Sequence, residues 1–217
     1  MDTMDTLVES LRDLDWNDID AVETACIEVL DILVEDPSIV RDRITVLPAR
    51  PELFTLCEHY DILDKLVLHD DAEAGFRVRL HIFLPGYFDR PHNHRWSYAS
   101  RILRGQYRHF LFGNAEVDEH VDPAKLPVLQ AREELVGSSY AVHHSMVHAV
   151  VAEPYTASLV IRGPAVKDRF LVMDRLTNEA WWQYGVKQES EKDAEHKRLT
   201  PERLDWLIGQ LNEWKLF

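Results

Sequence analysis

Histidine is concentrated in two short stretches of this chain, and one pair has a spacing that suits metal binding. The sequence contains 11 histidines, and His92 and His94 form an H-x-H pair. On an extended strand, side chains two residues apart point to the same side, so this pair can present two imidazoles to one point. A third ligand from a different strand would complete a set that leaves positions open for substrate. Imidazole nitrogen suits iron, zinc, copper, nickel and manganese to differing degrees.

The residues around this pair follow a longer spacing pattern. Five residues separate Gly86 from His92, three separate His94 from Tyr98, and six separate Tyr98 from Gly105. This segment resembles the first motif of the cupin family, which runs glycine, five residues, H-x-H, three or four residues, glutamate, six residues and glycine.

A second segment resembles the second cupin motif, which runs glycine, five residues, Pro-x-Gly, two residues, histidine, three residues and asparagine. The spacing is kept from Gly137 onward, while the proline, glycine and asparagine positions hold His143, Ser145 and Ala152. The resemblance implies that His148 is the third metal ligand. It also implies a small double-stranded β-barrel with a metal held at its mouth.

One departure from the cupin pattern indicates the type of metal site. Tyr98 occupies the position of the usual glutamate, which is similar to the three-histidine cupins, among them cysteine dioxygenase and other thiol dioxygenases. Three neutral imidazoles leave the full charge on a divalent ion, which favours direct binding of an anionic substrate together with O2. The resemblance to these three-histidine cupins implies Fe(II) as the cofactor, while nickel, copper, zinc or manganese would also accept these ligands.

The resemblance to thiol dioxygenases weakens on a later strand. In the stretch from Ser158 to Arg162, the thiol-dioxygenase pattern would have histidine at Val160 and tyrosine at Arg162, and the cysteine that cross-links to that tyrosine would lie at about Ala99. None of these residues is present, so cysteine is not the expected substrate.

Several polar residues are candidates for binding a substrate. Arg162 and Ser158 share the strand parity that lines the pocket in the resembling family, and the Arg162 guanidinium can hold a carboxylate through two parallel hydrogen bonds. Arg77, Arg79 and His81 lie on one face of another predicted strand. That face either lines the barrel, where it would supply guanidinium groups for a carboxylate, or faces water as an ordinary polar sheet surface.

Two further residues are candidates for catalysis. Tyr98 can donate a hydrogen bond to a bound oxygen species or fill the space of the missing carboxylate. Because adjacent strand residues face opposite ways, His143 and His144 cannot both readily point to the metal. His144 is the candidate for a ligand or for a base beside the metal, with a loop histidine as the alternative.

The hydrophobic pattern predicts the elements that position these residues. Residues 1–60 form an N-terminal helical segment, in which one helical stripe contains Val22, Cys26, Val29, Leu30 and Leu33. Residues 61–175 contain about seven short strands separated by turns, which indicates a β-sandwich or a β-barrel, and the resemblance to cupins implies the barrel. Residues 176–217 form a C-terminal helical segment with Thr200 as a helix N-cap. We expect one mainly β domain overall, a cupin double-stranded β-helix (jelly-roll) barrel with helices at both ends.

Composition restricts the classes of partner. The 217 residues include 38 acidic and 24 basic side chains, a net charge of −14, which disfavours nucleic acid and anionic membranes. No apolar run approaches the roughly 20 residues of a membrane span, and the N-terminus lacks the basic residues of a secretory signal. With only Cys26 and Cys57, a thiolate zinc site is not expected. These features predict a cytoplasmic protein without nucleic-acid or membrane partners, and a homodimer remains open.

The sequence predicts an oxidoreductase with a mononuclear non-heme iron centre, similar to thiol dioxygenases. It would use O2 to oxidise a small polar substrate that carries a carboxylate or an amine and chelates the metal. Two alternatives stay open: a metal-dependent isomerase, epimerase or lyase that needs no O2, and a non-catalytic barrel that binds a small molecule.

Overall fold

The structure is a computed structural model that describes residues 3–113, 117–185 and 195–217. The helices are α1 (Thr3–Leu7), α2 (Ile19–Glu35), α3 (Pro37–Val46), α4 (Pro51–Phe54) and α5 (Pro201–Glu213), with short 3-10 helices at Glu9–Leu11, Leu47–Ala49 and Pro123–Lys125. The strands are β1 (Glu58–His59), β2 (Leu63–Asp71), β3 (Phe76–Phe83), β4 (Tyr98–Arg104), β5 (Tyr107–Gly113), β6 (Gln130–Glu134), β7 (Ser139–Val142), β8 (Val147–Ala152), β9 (Ala157–Arg162), β10 (Arg169–Asp174) and β11 (Glu179–Tyr184). None of the helices in these ranges has the length and apolar character that a bilayer span requires.

The N-terminal helices form where the sequence predicts them. The Asp18 carboxylate accepts hydrogen bonds from the Asp20 and Ala21 backbone N–H groups and thereby caps α2. Asp36 caps α3 in the same way, with Pro37 in the first turn, where its missing N–H costs no hydrogen bond. The predicted stripe on α2 is buried, and its members are Val22, Cys26, Val29, Leu30 and Leu33.

The strands form antiparallel sheets whose order is that of a jelly roll. One sheet has the order β1-β2-β3-β9-β4-β7, a second has the order β6-β5-β8, and β10 pairs with β11. From β4 to β9 the chain crosses repeatedly between the two larger sheets, so that strands distant in sequence become neighbours. This alternation produces a double-stranded β-helix, and it confirms the predicted mainly β jelly-roll fold with flanking helices.

The two faces of β3 separate the helical core from the interior of the barrel. Phe76, Val78, Leu80 and Ile82 are buried in the same cluster as the α2 stripe. Because side chains alternate along a strand, Arg79, His81 and Phe83 point the other way, into a cavity between the sheets. One face of the six-stranded sheet therefore packs on the helices, and the other face lines the cavity.

The C-terminal part differs from the expected helical segment in one respect. Residues 179–184 form β11, which pairs with β10 from Arg169↔Tyr184 to Asp174↔Glu179. The reversal between these strands contains Asn178 with a positive φ of 61°, a conformation that asparagine tolerates. Residues 186–194 lie outside the described residues. Helix α5 begins as predicted, since the Thr200 side chain accepts a hydrogen bond from the Arg203 N–H.

Candidate metal centre

The three predicted metal ligands come together at one end of the cavity. The ligand nitrogens of His92, His94 and His148 all lie within 4.8 Å of one another. The Nε2 atoms of His94 and His148 are 2.8 Å apart. Two nitrogens that each lie about 2.1 Å from one ion, at a right angle, would be about 3 Å apart. The group thus has the dimensions of a ligand set for one cation.

Backbone pairing holds the H-x-H segment beside the third histidine. The His92 N–H donates to the His148 carbonyl at 2.8 Å, and the His148 N–H donates to the His92 carbonyl at 2.9 Å. On the other side, Met173 N–H donates to the Pro91 carbonyl at 2.8 Å. The segment predicted as a strand is therefore a short bridge between β8 and β10, and its extended backbone still directs both histidines to one side.

Hydrogen bonds on the opposite ring nitrogens determine which nitrogens are free to bind a metal. The Nδ1 atom of His92 lies 2.8 Å from the Arg90 carbonyl oxygen. Since a carbonyl can only accept, Nδ1 carries the proton and Nε2 keeps its lone pair. Metal-binding histidines usually show this tautomer, in which the nitrogen that does not bind the metal donates a hydrogen bond to a neighbouring acceptor.

The tautomer of His148 is set by a chain of two buried residues. His109 Nε2 lies 2.8 Å from His148 Nδ1, and His109 Nδ1 lies 3.1 Å from the Glu134 carboxylate. Burial lowers the pKa of His109, which favours a neutral ring with one proton. The Glu134 carboxylate lies closer to His109 Nδ1 than Arg132 Nη2 does, at 3.1 Å against 3.5 Å, which places the proton on Nδ1. His109 Nε2 then accepts a hydrogen bond from His148 Nδ1–H. The Nε2 atom of His148 is then a free lone pair facing His94.

The three rings are also uncharged near neutral pH. Burial lowers the pKa of His92 to about 4, with Lys65 and His109 adding to the effect. Burial and the neighbouring positive groups hold the pKa values of His94 and His148 well below the usual histidine range. Converging lone pairs on neutral imidazoles suit a divalent transition-metal ion, so the residues present fit the implied metal.

Aromatic side chains surround the three histidines. Trp96 stacks on His94 with ring centroids 4.6 Å apart. The Tyr98 hydroxyl lies 3.4 Å from His148 Nε2, and burial followed by the neighbouring Tyr140 raises the pKa of Tyr98 well above its usual value. Tyr98 therefore stays a protonated phenol beside the centre, in the position where the sequence alignment with the cupin motif placed it.

Tyr98 belongs to a group of phenols that lines the cavity. Its ring lies 6.1 Å from that of Tyr140, whose hydroxyl is hydrogen-bonded to the hydroxyl of Tyr107. All three rings are buried and come from strands of both large sheets. The site thus contains three neighbouring phenols next to the histidines.

The cavity has a volume of about 510 Å³, and its wall also carries cationic groups. Lys65, Arg79, His81 and Ser158 line it. Lys65 Nζ lies 3.4 Å from the Glu58 carboxylate. Arg79 is only 7% exposed, and its Nε atom has no hydrogen-bond partner among the described residues. This part of the wall therefore offers buried positive charge to a ligand.

Of the predicted substrate-binding residues, the structure brings Arg79 and Ser158 to the cavity and places Arg77 and Arg162 elsewhere. Arg77 forms an ion pair with Asp70. The Arg162 Nη1 donates to the carbonyls of Gly75 and Gly163, at 2.5 and 2.8 Å. Burial and the nearby Arg79 and Arg77 lower the pKa of Arg162 to about 8.

His144 also lies outside the group of three histidines and outside the cavity lining. The backbone of His144, rather than its ring, contacts the site. The His144 carbonyl accepts a hydrogen bond from the His94 N–H at 3.3 Å. Its ring packs on that of His143 at 4.0 Å. The contacts of His144 indicate that it supports the loop that carries His94.

His109 and Glu134 were not predicted from the sequence. His109 lies two residues after Tyr107, so strand parity could have placed it on the inward face of β5. No local pattern connects it to Glu134, which reaches it only through the β5–β6 register, Tyr107↔Glu134 and His109↔Arg132.

Comparison with known proteins gives similarity only at the level of solved structures. No family model and no curated protein matches the sequence. The chain is similar to KdgF from Halomonas sp. (13% identity, TM-score 0.36, 48% of this chain and 82% of that chain). It is also similar to an RmlC-like cupin from Shewanella frigidimarina, with 17% identity and a TM-score of 0.38 over 51% of this chain and 85% of that chain. A third similar structure is L-ribose isomerase from Cellulomonas parahominis, with 12% identity and a TM-score of 0.40 over 50% of this chain and 63% of that chain. The jelly-roll assignment rests on the strand order given above.

Proposed function

We propose that the protein is a mononuclear metal-dependent oxygenase that uses O2 to oxidise a small substrate bearing a carboxylate. The observation that carries this proposal is the convergence of three neutral imidazoles, without a carboxylate in the group, at a cavity with buried cationic residues. His92, His94 and His148 would hold Fe(II). The bound ion would supply open positions for substrate and O2 together with the redox chemistry.

The cationic part of the cavity wall binds the substrate carboxylate. The Arg79 guanidinium is buried, and no described residue accepts a hydrogen bond from its Nε, whereas Lys65 forms an ion pair with Glu58. A carboxylate that accepts hydrogen bonds from Arg79 satisfies this donor and offsets the excess of positive charge. The Ser158 hydroxyl, which also lines the cavity, supplies a neutral donor or acceptor for another polar group of the substrate.

The aromatic residues protect and orient the reacting groups. Trp96 and Phe170 both stack on the His94 ring, at 4.6 and 6.4 Å, and so limit its rotation and its contact with water. Tyr98, as a protonated phenol, donates a hydrogen bond to a reacting oxygen atom of the substrate or of O2. The chain's contribution is therefore to bind, orient and exclude water.

Oxygen consumption tests this function. The protein is reconstituted anaerobically with Fe(II), and an O2 electrode follows uptake with a series of small thiols and amino acids. We expect uptake by the iron-loaded wild type and by the surface variant His120→Ala, and none by His94→Ala. A protein that binds one iron per chain but consumes no O2 with any of these compounds would contradict the oxygenase proposal.

A second candidate is a metal-dependent isomerase, epimerase or lyase that needs no O2. The neighbouring phenols of Tyr98, Tyr140 and Tyr107 favour it, because the protonated Tyr98 can supply a proton next to the metal site. Incubation without O2 in D2O, with small hydroxy acids and sugars, would then place deuterium in the substrate, and Tyr98→Phe would abolish the exchange. Absence of deuterium in every compound would count against this candidate.

A further inference from the structure

We propose that Glu134, acting through His109, supplies the metal centre with the negative charge that its three imidazole ligands lack. The proposal rests on the metal centre described above and assigns two positioning residues to it. Neither residue is among those that line the cavity. Their effect reaches the metal through the ring of His148.

The contacts form one continuous buried chain. His148 Nδ1 and His109 Nε2 are 2.8 Å apart, and His109 Nδ1 and the Glu134 Oε1 are 3.1 Å apart. The exposed fraction is 0% for His109 and 4% for Glu134. With water excluded, the carboxylate interacts with the two rings more strongly than it would at the surface.

These hydrogen bonds all run in one direction, from His148 through His109 to Glu134. The carboxylate accepts from His109, His109 accepts from His148, and the remaining lone pair of His148 points to His94. Each acceptor draws the donor proton toward itself, which increases the electron density on the far side of the ring. His148 thereby becomes a more basic ligand than an imidazole that faces water.

The Glu134 carboxylate compensates for the absence of a carboxylate at position 98. In the cupin motif that the sequence resembles, a glutamate would occupy this position, where the present chain has Tyr98. A neutral phenol cannot offset the charge of a divalent ion, whereas the Glu134 carboxylate can do so from outside the ligand set. Arg132 limits this effect, because its Nε lies 2.6 Å from the same Glu134 oxygen.

Binding of Co(II), measured by competition with a chelator, tests the proposal without any need for activity. Glu134→Gln keeps the side-chain shape and removes the charge, and loss of such a partner typically weakens metal binding about 10- to 100-fold. Glu133→Gln is the matched control, since it removes the same charge from the exposed neighbour on β6. We expect the Co(II) affinity of Glu133→Gln to equal that of the wild type, and the Co(II) absorption bands to shift only in Glu134→Gln.

A third variant separates the effect of charge from damage to the fold. Arg132→Met removes the cation that competes for Glu134, so Co(II) should bind as tightly as in the wild type or more tightly. Equal weakening in Arg132→Met and Glu134→Gln would show general damage and overturn the proposal, as would wild-type affinity in Glu134→Gln. A wild-type protein that binds no Co(II) would be a different failure, because it would remove the metal centre itself.

Discussion

Replacing Arg79 by methionine is predicted to make the protein more stable and less able to bind a carboxylate. Arg79 is 7% exposed, and within the part of the chain that the structure describes its Nε atom has no hydrogen-bond partner. Burial lowers the pKa of Arg79, and the attraction of Glu58 opposes this effect. Methionine has a similar reach without the charge, so Arg79→Met removes an unfavourable buried group and also removes the proposed ligand for the substrate carboxylate.

The size of both effects follows from these contacts. An unsatisfied buried donor costs about 1–3 kcal/mol. Arg79→Met removes this cost but also removes the attraction between Arg79 and Glu58, which offsets part of the gain in stability. Glu58 still has its ion pair with Lys65, at 3.4 Å. We expect a net gain of about 1 kcal/mol in the free energy of unfolding, or roughly 2–4 °C in Tm for a chain of this size. A hydrogen bond to a charged group contributes about 1.5–3 kcal/mol, so carboxylate binding should weaken about 10- to 150-fold.

Urea denaturation measures the stability, and Trp fluorescence measures the binding of acetate and succinate to the metal-loaded protein. Trp96 is a suitable reporter, because its ring lies 5.9 Å from the Arg79 guanidinium. Arg77→Met is the matched control on the same strand. It breaks the ion pair with Asp70 outside the cavity, so stability should fall slightly and carboxylate binding should not change.

The result that would refute this reasoning is a less stable Arg79→Met protein that binds carboxylates as tightly as the wild type. Arg79 would then be a structural residue whose charge is compensated within the protein. A loss of binding in Arg77→Met equal to that in Arg79→Met would also contradict the assignment of the carboxylate site to the cavity.

Two further predictions concern protonation and thiol reactivity. His81 has its pKa held well below the usual range by burial, with Lys65 and Arg79 contributing; the unfolded chain therefore takes up a proton near pH 6.5 that the folded chain does not. Stability of the metal-free protein should fall as the pH drops from about 7.5 to about 5, and the fall should be smaller in His81→Gln. Equal unfolding free energies at both pH values in the wild type would be inconsistent with neutral buried histidines. Burial also raises the pKa of Cys26 to about 12 and that of Cys57 to about 11, so neither thiol should react with a disulfide reagent until the protein unfolds, whereas rapid reaction of the native protein would show that they are accessible.

Local sequence patterns were sufficient for much of the fold. The helical stripe on α2 is predicted because its apolar residues recur every three or four positions, and a helix must bury such a stripe. The spacing of His92 and His94 is equally local, and the resemblance of two segments to the cupin motifs implied His148 as their partner. These features depend on periodicity and on motif spacing, which a single sequence displays directly.

Features that depend on pairing between distant segments were not predictable in the same way. Arg77 and Arg79 have the same strand parity, yet only Arg79 lines the cavity, because Arg77 lies nearer the end of β3 and pairs with Asp70. Glu134 reaches His109 through the register of two strands that a long connection separates. Strand β11 was missed because its aromatic residues, EAWWQY, are compatible with either a helix or a strand until β10 provides a partner.

The convergence of three histidines on one metal ion is the central claim, and X-ray absorption of the Co(II)-loaded protein tests it most directly. We expect one ion per chain, imidazole scattering from three histidines at about 2.1 Å, and loss of the bound ion in His94→Ala but not in His120→Ala. A spectrum without imidazole scattering, or unchanged binding in His94→Ala, would contradict the account.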